Sequence, residues 1–470
     1  MTQPNLLIIM LDQLRYDCIG YSGAYPVRTP NIDRLAAEGL WFENAFTPIP
    51  TCCPARQAFI SGRRPETFGA LWNFKNGLPV AALDPSEYAW PRELGKHAYH
   101  RVHLGKWDVH PKRTPLEYGY DEYVGFAPYQ EMIARKYQGV KWEAGYAGEN
   151  SPIPLEDTQT HWLAERACET VSRLTAKERQ LPWYIQLNFT EPHLPCRPSE
   201  PFASMYDPAQ IPPWGGFGDT FAGKPYIQKQ QLLSWQVQDY TWDDWAPIAA
   251  RYYAVISQTD DAVGRVLQAL EASGAADDTM IVFTADHGDM CGSHGMMDKH
   301  YILYDDVVKV PLIVKYPPLT GQGGEKRGGF VCNMLDLPPT VLELLKLPVP
   351  GFFPGRSLLP WLKGEEVPDW RSEAVTTYNG QQFGLYTQRM LRTKRWKYIW
   401  NTTDVDELYD LELDPYELTN RIHDPGCREL VKAYRLRLYE RLTEEGDGLV
   451  GSEWMRNQLV HNAISDGRQD

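Results

Sequence analysis

The stretch 51–56, Thr-Cys-Cys-Pro-Ala-Arg, holds residues that could bind and attack an anion. Pro54 suits the first turn of a helix, where its missing N–H costs nothing, and Gly62 suits the position just after a helix. Cys52 would then lie beside a helix N-terminus, where free N–H groups and the dipole favour negative charge. Arg56, one turn further, can hold a tetrahedral oxyanion through two parallel hydrogen bonds. The alternative is that the two cysteines are buried structural thiols.

Four polar clusters each follow an apolar segment that predicts a β-strand. Ligands of open α/β sheets bind outside the carboxyl ends of the strands, so we expect these clusters to meet at one edge of a sheet. The clusters are Asp12-Gln13, Lys106, Glu191-Pro192-His193 and Asp286-His287-Gly288.

Two of these clusters predict a divalent metal site made of Asp12, Gln13, Asp286 and His287. Two carboxylates balance the cation, and an amide carbonyl and an imidazole nitrogen complete a mixed shell of oxygen and nitrogen. Such a shell favours Ca²⁺, with Mn²⁺ or Mg²⁺ as alternatives, over Zn²⁺. The competing interpretation makes Asp12 a turn cap and His287 a buried core histidine.

The elements that must position these residues alternate between strand and helix over the first two-thirds of the chain. This pattern is typical of a mostly parallel sheet with helices on both faces. The apolar run 6–11 is expected of a strand buried on both faces. Further strands are predicted at 101–104, 183–189, 280–284 and 311–314.

The pattern changes after Pro360, where short strand-like segments precede a predicted helix at 428–445. We expect a small antiparallel sheet packed with one helix. The sequence thus predicts an α/β domain over 1–368, which carries the polar clusters, and a smaller C-terminal subdomain over 369–470.

Residues 201–245 are rich in proline, glycine and aromatic side chains, among them Trp214, Trp235 and Trp242. We interpret this stretch as a long irregular insertion near the rim of the site, either a lid or platform for a sugar, or a packed surface loop.

Composition excludes several classes of function. The chain has 470 residues and a net charge of −14, without a basic run, so no nucleic-acid partner is expected. No apolar stretch approaches the length of a membrane span. The eight cysteines lack the spacing of a metal knuckle or disulfide scaffold. The N-terminus lacks a basic signal region, so we expect a cytoplasmic protein with reduced thiols.

Taken together, these motifs resemble the sulfatase family over nearly the whole chain. The resemblance implies a fold related to alkaline phosphatase. The segments that carry it are 5–12, 29–35, 51–56 with Ser61-Gly62-Arg63, Gly105-Lys106-Trp107, Pro192-His193-Leu194-Pro195, 284–289 with Gly295 and Lys299, 310–313 and 408–415.

The resemblance also implies a mechanism. A maturation enzyme would oxidise Cys52 to formylglycine, an aldehyde whose hydrate attacks the sulfur of a sulfate ester, and residue 52 would join the metal shell. Arg56 and Lys106 would hold the hydrate and the sulfate oxygens. Lys299 would span the sulfate and leaving-group oxygens, and His193 would protonate the leaving alcohol.

Two positions depart from the pattern of the family. Asp108 replaces the usual histidine; either His110 reaches that space through a longer loop and contacts the substrate, as we expect, or the contact is absent. Gln13 replaces a second aspartate of many sulfatases, and together with His287 it is similar to the phosphonate and phosphate monoester hydrolases of the superfamily.

The leading hypothesis is a sulfatase that acts on a small-molecule or oligosaccharide sulfate ester, with preference for a carbohydrate. The alternative enzyme is a phosphonate or phosphate monoester hydrolase using the same formylglycine and metal. A non-catalytic binding protein on this scaffold is disfavoured, since it would not need the intact set of polar residues.

Overall fold

The computed structural model describes residues 3–74, 77, 80–176, 181–321, 323–380 and 382–463. An eight-stranded sheet has the order β4-β3-β5-β1-β6-β7-β2-β8, and a separate sheet has the order β12-β11-β10-β9. The strands are β1 Asn5–Asp12, β2 Leu40–Phe46, β3 His100–Gly105, β4 Glu122–Val124, β5 Trp183–Pro192, β6 Thr279–Ala285, β7 Leu312–Lys315, β8 Glu325–Cys332, β9 Glu373–Gly380, β10 Tyr386–Thr393, β11 Trp396–Asn401 and β12 Glu407–Asp410.

Helices flank the large sheet, and two more accompany the small one. They are α1 Pro30–Glu38, α2 Cys52–Ser61, α3 Pro91–Gly95, α4 Ala127–Lys136, α5 Gln159–Leu174, α6 Tyr226–Trp235, α7 Trp242–Ala272, α8 Asp305–Val308, α9 Pro317–Thr320, α10 Asn333–Leu344, α11 Leu359–Leu362, α12 Arg428–Glu444 and α13 Glu453–His461. None of the helices in these described ranges combines the length and the apolar character needed to cross a membrane.

The predicted mostly parallel sheet is confirmed. Strand β1 lies at its centre and pairs in parallel with both β5 and β6. Its apolar run is at most 1% exposed, as expected of a strand covered on both faces. Strand β7 runs antiparallel to both of its neighbours, which makes the sheet mixed.

The small C-terminal sheet is antiparallel throughout, as predicted. Helix α12 packs on it through Val431, Leu438 and Leu442. The sheet begins at Glu373, just after the predicted division at 368, and the division into two domains stays a prediction.

The aromatic stretch 201–245 is not irregular throughout, because it contains α6 and the start of α7. Trp214 is 2% exposed, and its indole N–H donates to the carbonyl of Cys291 at 2.7 Å. The Arg15 guanidinium lies 4.2 Å from the Trp214 ring. These contacts agree with the packed-loop interpretation rather than with an exposed platform.

Candidate active site

The carboxyl ends of four neighbouring strands bring the predicted residues together. Strand β1 ends at Asp12, β6 is followed by Asp286, β3 by Lys106, and β5 leads into His193. These strands lie side by side in the order β3-β5-β1-β6, so their ends form one edge. Helix α2 starts at this edge with Cys52 as its first residue.

Gly105 explains how Lys106 reaches this edge. Its φ of 91° lies in the left-handed region, and a Cβ there would meet the carbonyl oxygen of Asn188 at 2.1 Å. With glycine in place, the chain passes close to β5, and the Lys106 N–H donates to that carbonyl at 2.9 Å. The glycine is therefore required both by the turn and by the close approach of two backbones.

A compact group of potential metal ligands consists of Asp12, Cys52, Asp286 and His287. All four are buried, and one ligand atom from each lies within 4.8 Å of the others. Cys52 Sγ lies 3.7 Å from Asp12 Oδ1 and 3.2 Å from His287 Nε2.

The hydrogen bond that orients His287 fits a cation-binding role. His287 Nδ1 donates to the carbonyl of Gly288 at 2.9 Å, which leaves Nε2 facing the group. Ligand histidines are commonly oriented by such a hydrogen bond. Two buried carboxylates with an imidazole form a donor set that suits a divalent cation.

Gln13 lies next to this group of potential ligands, and three other side chains form hydrogen bonds with its amide. Its amide nitrogen donates to the carboxylates of Asp289 and of Asp298, the latter at 2.9 Å. Its carbonyl oxygen accepts from Lys299 Nζ at 2.8 Å. The two carboxylates therefore fix which end of the amide faces Lys299, and a ligand role for Gln13 stays a prediction.

Arg56 bridges the two central carboxylates. Its Nη2 lies 3.0 Å from Asp12 Oδ2 and 2.9 Å from Asp286 Oδ2, and its Nε donates to Asp286 at 3.0 Å. Burial disfavours the guanidinium, but Asp286 and Asp12 outweigh it and raise the pKa of Arg56. Arg56 is thus a permanent buried cation beside residue 52.

Lys106 adds a second cation at the same Asp12 oxygen, Oδ2, that Arg56 contacts. Its Nζ pairs with the Asp12 carboxylate and lies 3.2 Å from Asp108 Oδ2. Burial alone would raise the pKa of Asp12, but Lys106, then His193 and Arg56, hold it well below its usual range.

Nearby cations also lower the pKa of residue 52 in its unmodified form, a cysteine. Burial and Asp12 raise the pKa of the Cys52 thiol, but Lys106, Lys299 and His287 outweigh them and lower it well below its usual value. Burial raises the pKa of the adjacent Cys53. The site therefore stabilises negative charge at position 52.

His193 and Lys299 meet at the mouth of the site. Lys299 is 2% exposed, and its Nζ donates to His193 Nε2 at 3.0 Å. His193 Nδ1 donates to the carbonyl of Leu194 at 2.7 Å. Burial alone would lower the pKa of Lys299, but Asp298 and then Cys52 raise it, so the residue stays cationic.

His110 lies in the cleft of about 700 Å³ that opens over Cys52, Lys106 and His193. Its Nδ1 accepts hydrogen bonds from the backbone N–H groups of Lys112 and Arg113, each at 3.0 Å. These bonds fix the ring at the cleft wall, and contact with a substrate stays a prediction.

Sequence reasoning assigned no role to Asp289 or Asp298, and it named Glu191 only as part of a polar cluster. Asp289 lies within the predicted motif 284–289, and Asp298 directly precedes Lys299. These motifs were the only available signal for the two aspartates. Their importance depends on their meeting at the Gln13 amide, a contact between residues more than 270 positions apart.

Comparisons with known proteins agree with this geometry. The sequence model of the sulfatase family matches residues 4–347, and a model described as "N-sulphoglucosamine sulphohydrolase, C-terminal" matches 292–444. An arylsulfatase of Clostridium perfringens is 28% identical, over 95% of this chain and 96% of its own. A choline-sulfatase of Rhizobium meliloti is 28% identical, over 99% and 92%.

A solved structure extends the comparison to phosphorus esters. The phosphonate monoester hydrolase of Agrobacterium radiobacter superposes with a TM-score of 0.80 at 26% identity, covering 94% of this chain and 96% of its own. Since the sulfatase model spans most of the chain and the polar residues converge at one sheet edge, this chain belongs to the sulfatase family, sulfuric ester hydrolases with the alkaline phosphatase fold.

Proposed function

We propose that this protein hydrolyses a sulfate ester of a carbohydrate, using formylglycine made from Cys52 and one divalent cation. The observation that carries the proposal is the environment of Cys52. This residue is buried, begins helix α2, and lies among Asp12, His287 and the cations of the site. The description of the second family model, which names a sulfated amino sugar, supports the carbohydrate.

The cation would be held by Asp12, Gln13, Asp286 and His287, together with residue 52. Carboxylate and amide oxygens outnumber nitrogen in this set, which favours Ca²⁺, with Mn²⁺ or Mg²⁺ as alternatives. When bound, the cation and the hydrated aldehyde would together supply an activated hydroxyl for attack on sulfur.

The fixed cations of the chain would bind the sulfate group. Arg56 is held by two carboxylates and cannot turn away, so it contributes a constant positive field. The ammonium groups of Lys106 and Lys299 would contact the sulfate oxygens and stabilise the charge that develops in the transition state.

The hydrogen bond between Lys299 and His193 suggests how the leaving alcohol receives a proton. In the resting arrangement Lys299 donates to His193 Nε2, so that nitrogen acts as an acceptor. A bound sulfate would attract the Lys299 ammonium and free His193 Nε2, which could then take up a proton from solvent and donate it to the leaving oxygen.

Mass spectrometry of the peptide that contains Cys52 tests the proposal. Co-expression with a formylglycine-generating maturation enzyme should give the aldehyde mass at position 52 and hydrolysis of sulfate esters. Cys53 should keep its thiol and serves as the internal control. Fully active protein with an unmodified Cys52 would overturn the mechanism.

Elemental analysis tests the metal site separately. Asp12→Ala and Asp286→Ala should each lose the bound divalent cation while the circular dichroism spectrum is kept. Unchanged metal content in both variants would place the site elsewhere.

A second candidate is hydrolysis of a phosphonate or phosphate monoester at the same site. Gln13, in place of a second aspartate, leaves one negative charge fewer beside the cation, and the Agrobacterium radiobacter enzyme shares the fold over nearly the whole chain. Values of kcat/KM for matched aryl sulfate, phosphate and phenylphosphonate esters discriminate between the two. A consistent preference for the phosphonate would select this candidate.

A further inference from the structure

A second cavity shares His193 with the reaction cleft. It has a volume of about 350 Å³ and, like the cleft, is lined in part by α4. We call it the side pocket and define it by Tyr129, Trp142, Glu191, His193 and Arg197. Its volume is within the range of small-molecule sites.

The position of the side pocket relates it to the leaving group. The sulfate group would bind in the cleft beside Cys52 and Lys106, and His193 would stand next to the leaving oxygen. Since His193 lines both spaces, a leaving group that continues past this histidine enters the side pocket.

Aromatic side chains form one wall of the side pocket. Trp142 is 37% exposed, unlike the buried tryptophans of the core, and Tyr129 lies on α4. Aromatic faces of this kind pack against the apolar C–H face of a ring.

The other wall carries two polar atoms that lack a hydrogen bond within the described ranges, although the guanidinium of Arg197 lies 3.9 Å from Glu149 Oε1. Glu191 Oε2 and Arg197 Nε are buried, and neither has a hydrogen-bond partner among the described residues. An unpaired buried polar atom costs about 1–3 kcal/mol, which a ligand can recover by supplying the partner. A carboxyl group and a guanidinium that donates are together complementary to hydroxyl groups, which both donate and accept.

The charge arrangement disfavours a cationic ligand. The Arg197 guanidinium already lies 4.3 Å from the centre of the Trp142 ring. A quaternary ammonium group bound beside the same ring would be repelled by this guanidinium, whereas an uncharged ring would not be. An anionic substituent would lie beside the Glu191 carboxyl, which is itself ionised above about pH 7.

We propose that the side pocket binds the sugar ring of the leaving group, an uncharged hexose or N-acetylhexosamine, with Trp142 against the ring face and Glu191 and Arg197 at its hydroxyls. This inference rests on the proposed role of His193 beside the leaving oxygen. It makes Trp142, Glu191 and Arg197 the residues that select the alcohol.

Binding of unsulfated sugars tests the inference without any turnover. Saturation-transfer NMR would use the full-length Cys52→Ala variant with D-glucose, D-galactose, N-acetyl-D-glucosamine, choline and phenol. At least one sugar should bind, and adding Trp142→Ala or Glu191→Gln should weaken its binding at least tenfold. Trp454→Ala, at a remote tryptophan that is 74% exposed, is the matched control and should have no effect.

Three results would overturn the inference: no sugar binds, binding survives both side-pocket substitutions, or choline or phenol binds in preference to every sugar. Failure of the proposed function is seen separately, as absence of sulfate ester hydrolysis by matured wild-type protein. In active protein, Trp142→Ala should lower kcat/KM for a sugar sulfate at least tenfold and leave inhibition by inorganic sulfate unchanged, since that ion reaches only the cleft.

Discussion

The carboxyl of Glu191 provides a pH-dependent test of the buried wall beside His193. Burial raises the pKa of Glu191 from 4.5 to about 7. In the folded protein the group therefore keeps its proton up to about pH 7, whereas in the unfolded chain it loses the proton near pH 4.5. Between these values the folded state binds more protons, so the free energy of unfolding falls as pH rises.

The size of the effect follows from the shift. At 1.36 kcal/mol for each pKa unit, the ionised carboxyl costs the folded protein at most about 3 kcal/mol above pH 8. Glu191→Gln removes this cost because the amide does not ionise. The variant should match the wild type near pH 4.5 and exceed its free energy of unfolding by up to about 3 kcal/mol at pH 8.5.

Urea unfolding of both proteins at pH values from 4.5 to 8.5 measures this difference. Glu200→Gln, at an exposed glutamate hydrogen-bonded to Ser204, is the control and should show no such trend. A difference that stays constant with pH, or a variant less stable than the wild type at pH 8.5, would refute the reasoning.

Three further substitutions test the site and its supports. Arg56→Met should lower the free energy of unfolding by about 3–5 kcal/mol in chelator-treated protein, because two buried carboxylates lose their shared cation. This loss of stability should shrink at saturating Ca²⁺. The control is Arg63→Met, at a more exposed arginine, which should cost under about 1 kcal/mol in urea unfolding. Gln13→Glu should destabilise the folded protein by about 2–4 kcal/mol in the same urea assay, since a third carboxylate replaces the amide that donates to the carboxylates of Asp289 and Asp298. A variant more stable than the wild type would contradict this. Gly62→Ala should lower the melting temperature more than Gly23→Ala does. Both glycines have a φ near 65°, so the backbone strain is similar, but only a Cβ at position 62 would meet a phenylalanine ring, at 2.3 Å. Equal decreases in melting temperature would exclude the steric contribution.

Local signals were sufficient for much of the site. A strand buried on both faces needs a continuous apolar run, and parallel strands end at a common edge, so Asp12, Lys106, His193 and Asp286 could be assigned to one region from sequence. The helix that begins at Cys52 and stops before Gly62 followed from proline and glycine preferences, which act over a few residues.

Some elements had no clear local signal. Strand β8 begins with exposed charged residues and β4 has only three residues, so neither shows the apolar run of a buried strand. Helix α6 lies in a stretch whose proline and glycine content predicted irregular chain. Its position is decided by tertiary contacts, such as the Gln228 side-chain amide donating to Glu407 of the small sheet at 2.9 Å.

The sequence by itself determined the family, the sheet class and the residue types at the reactive edge, because these depend on short-range patterns of apolar, turn-forming and polar residues. Only the tertiary structure decided which charges compensate one another. The Gln13 amide between Asp289 and Asp298, the Arg56 bridge and the side pocket behind His193 all join segments far apart in the chain. Such contacts depend on distances of a few ångströms between side chains, and a linear sequence does not contain those distances.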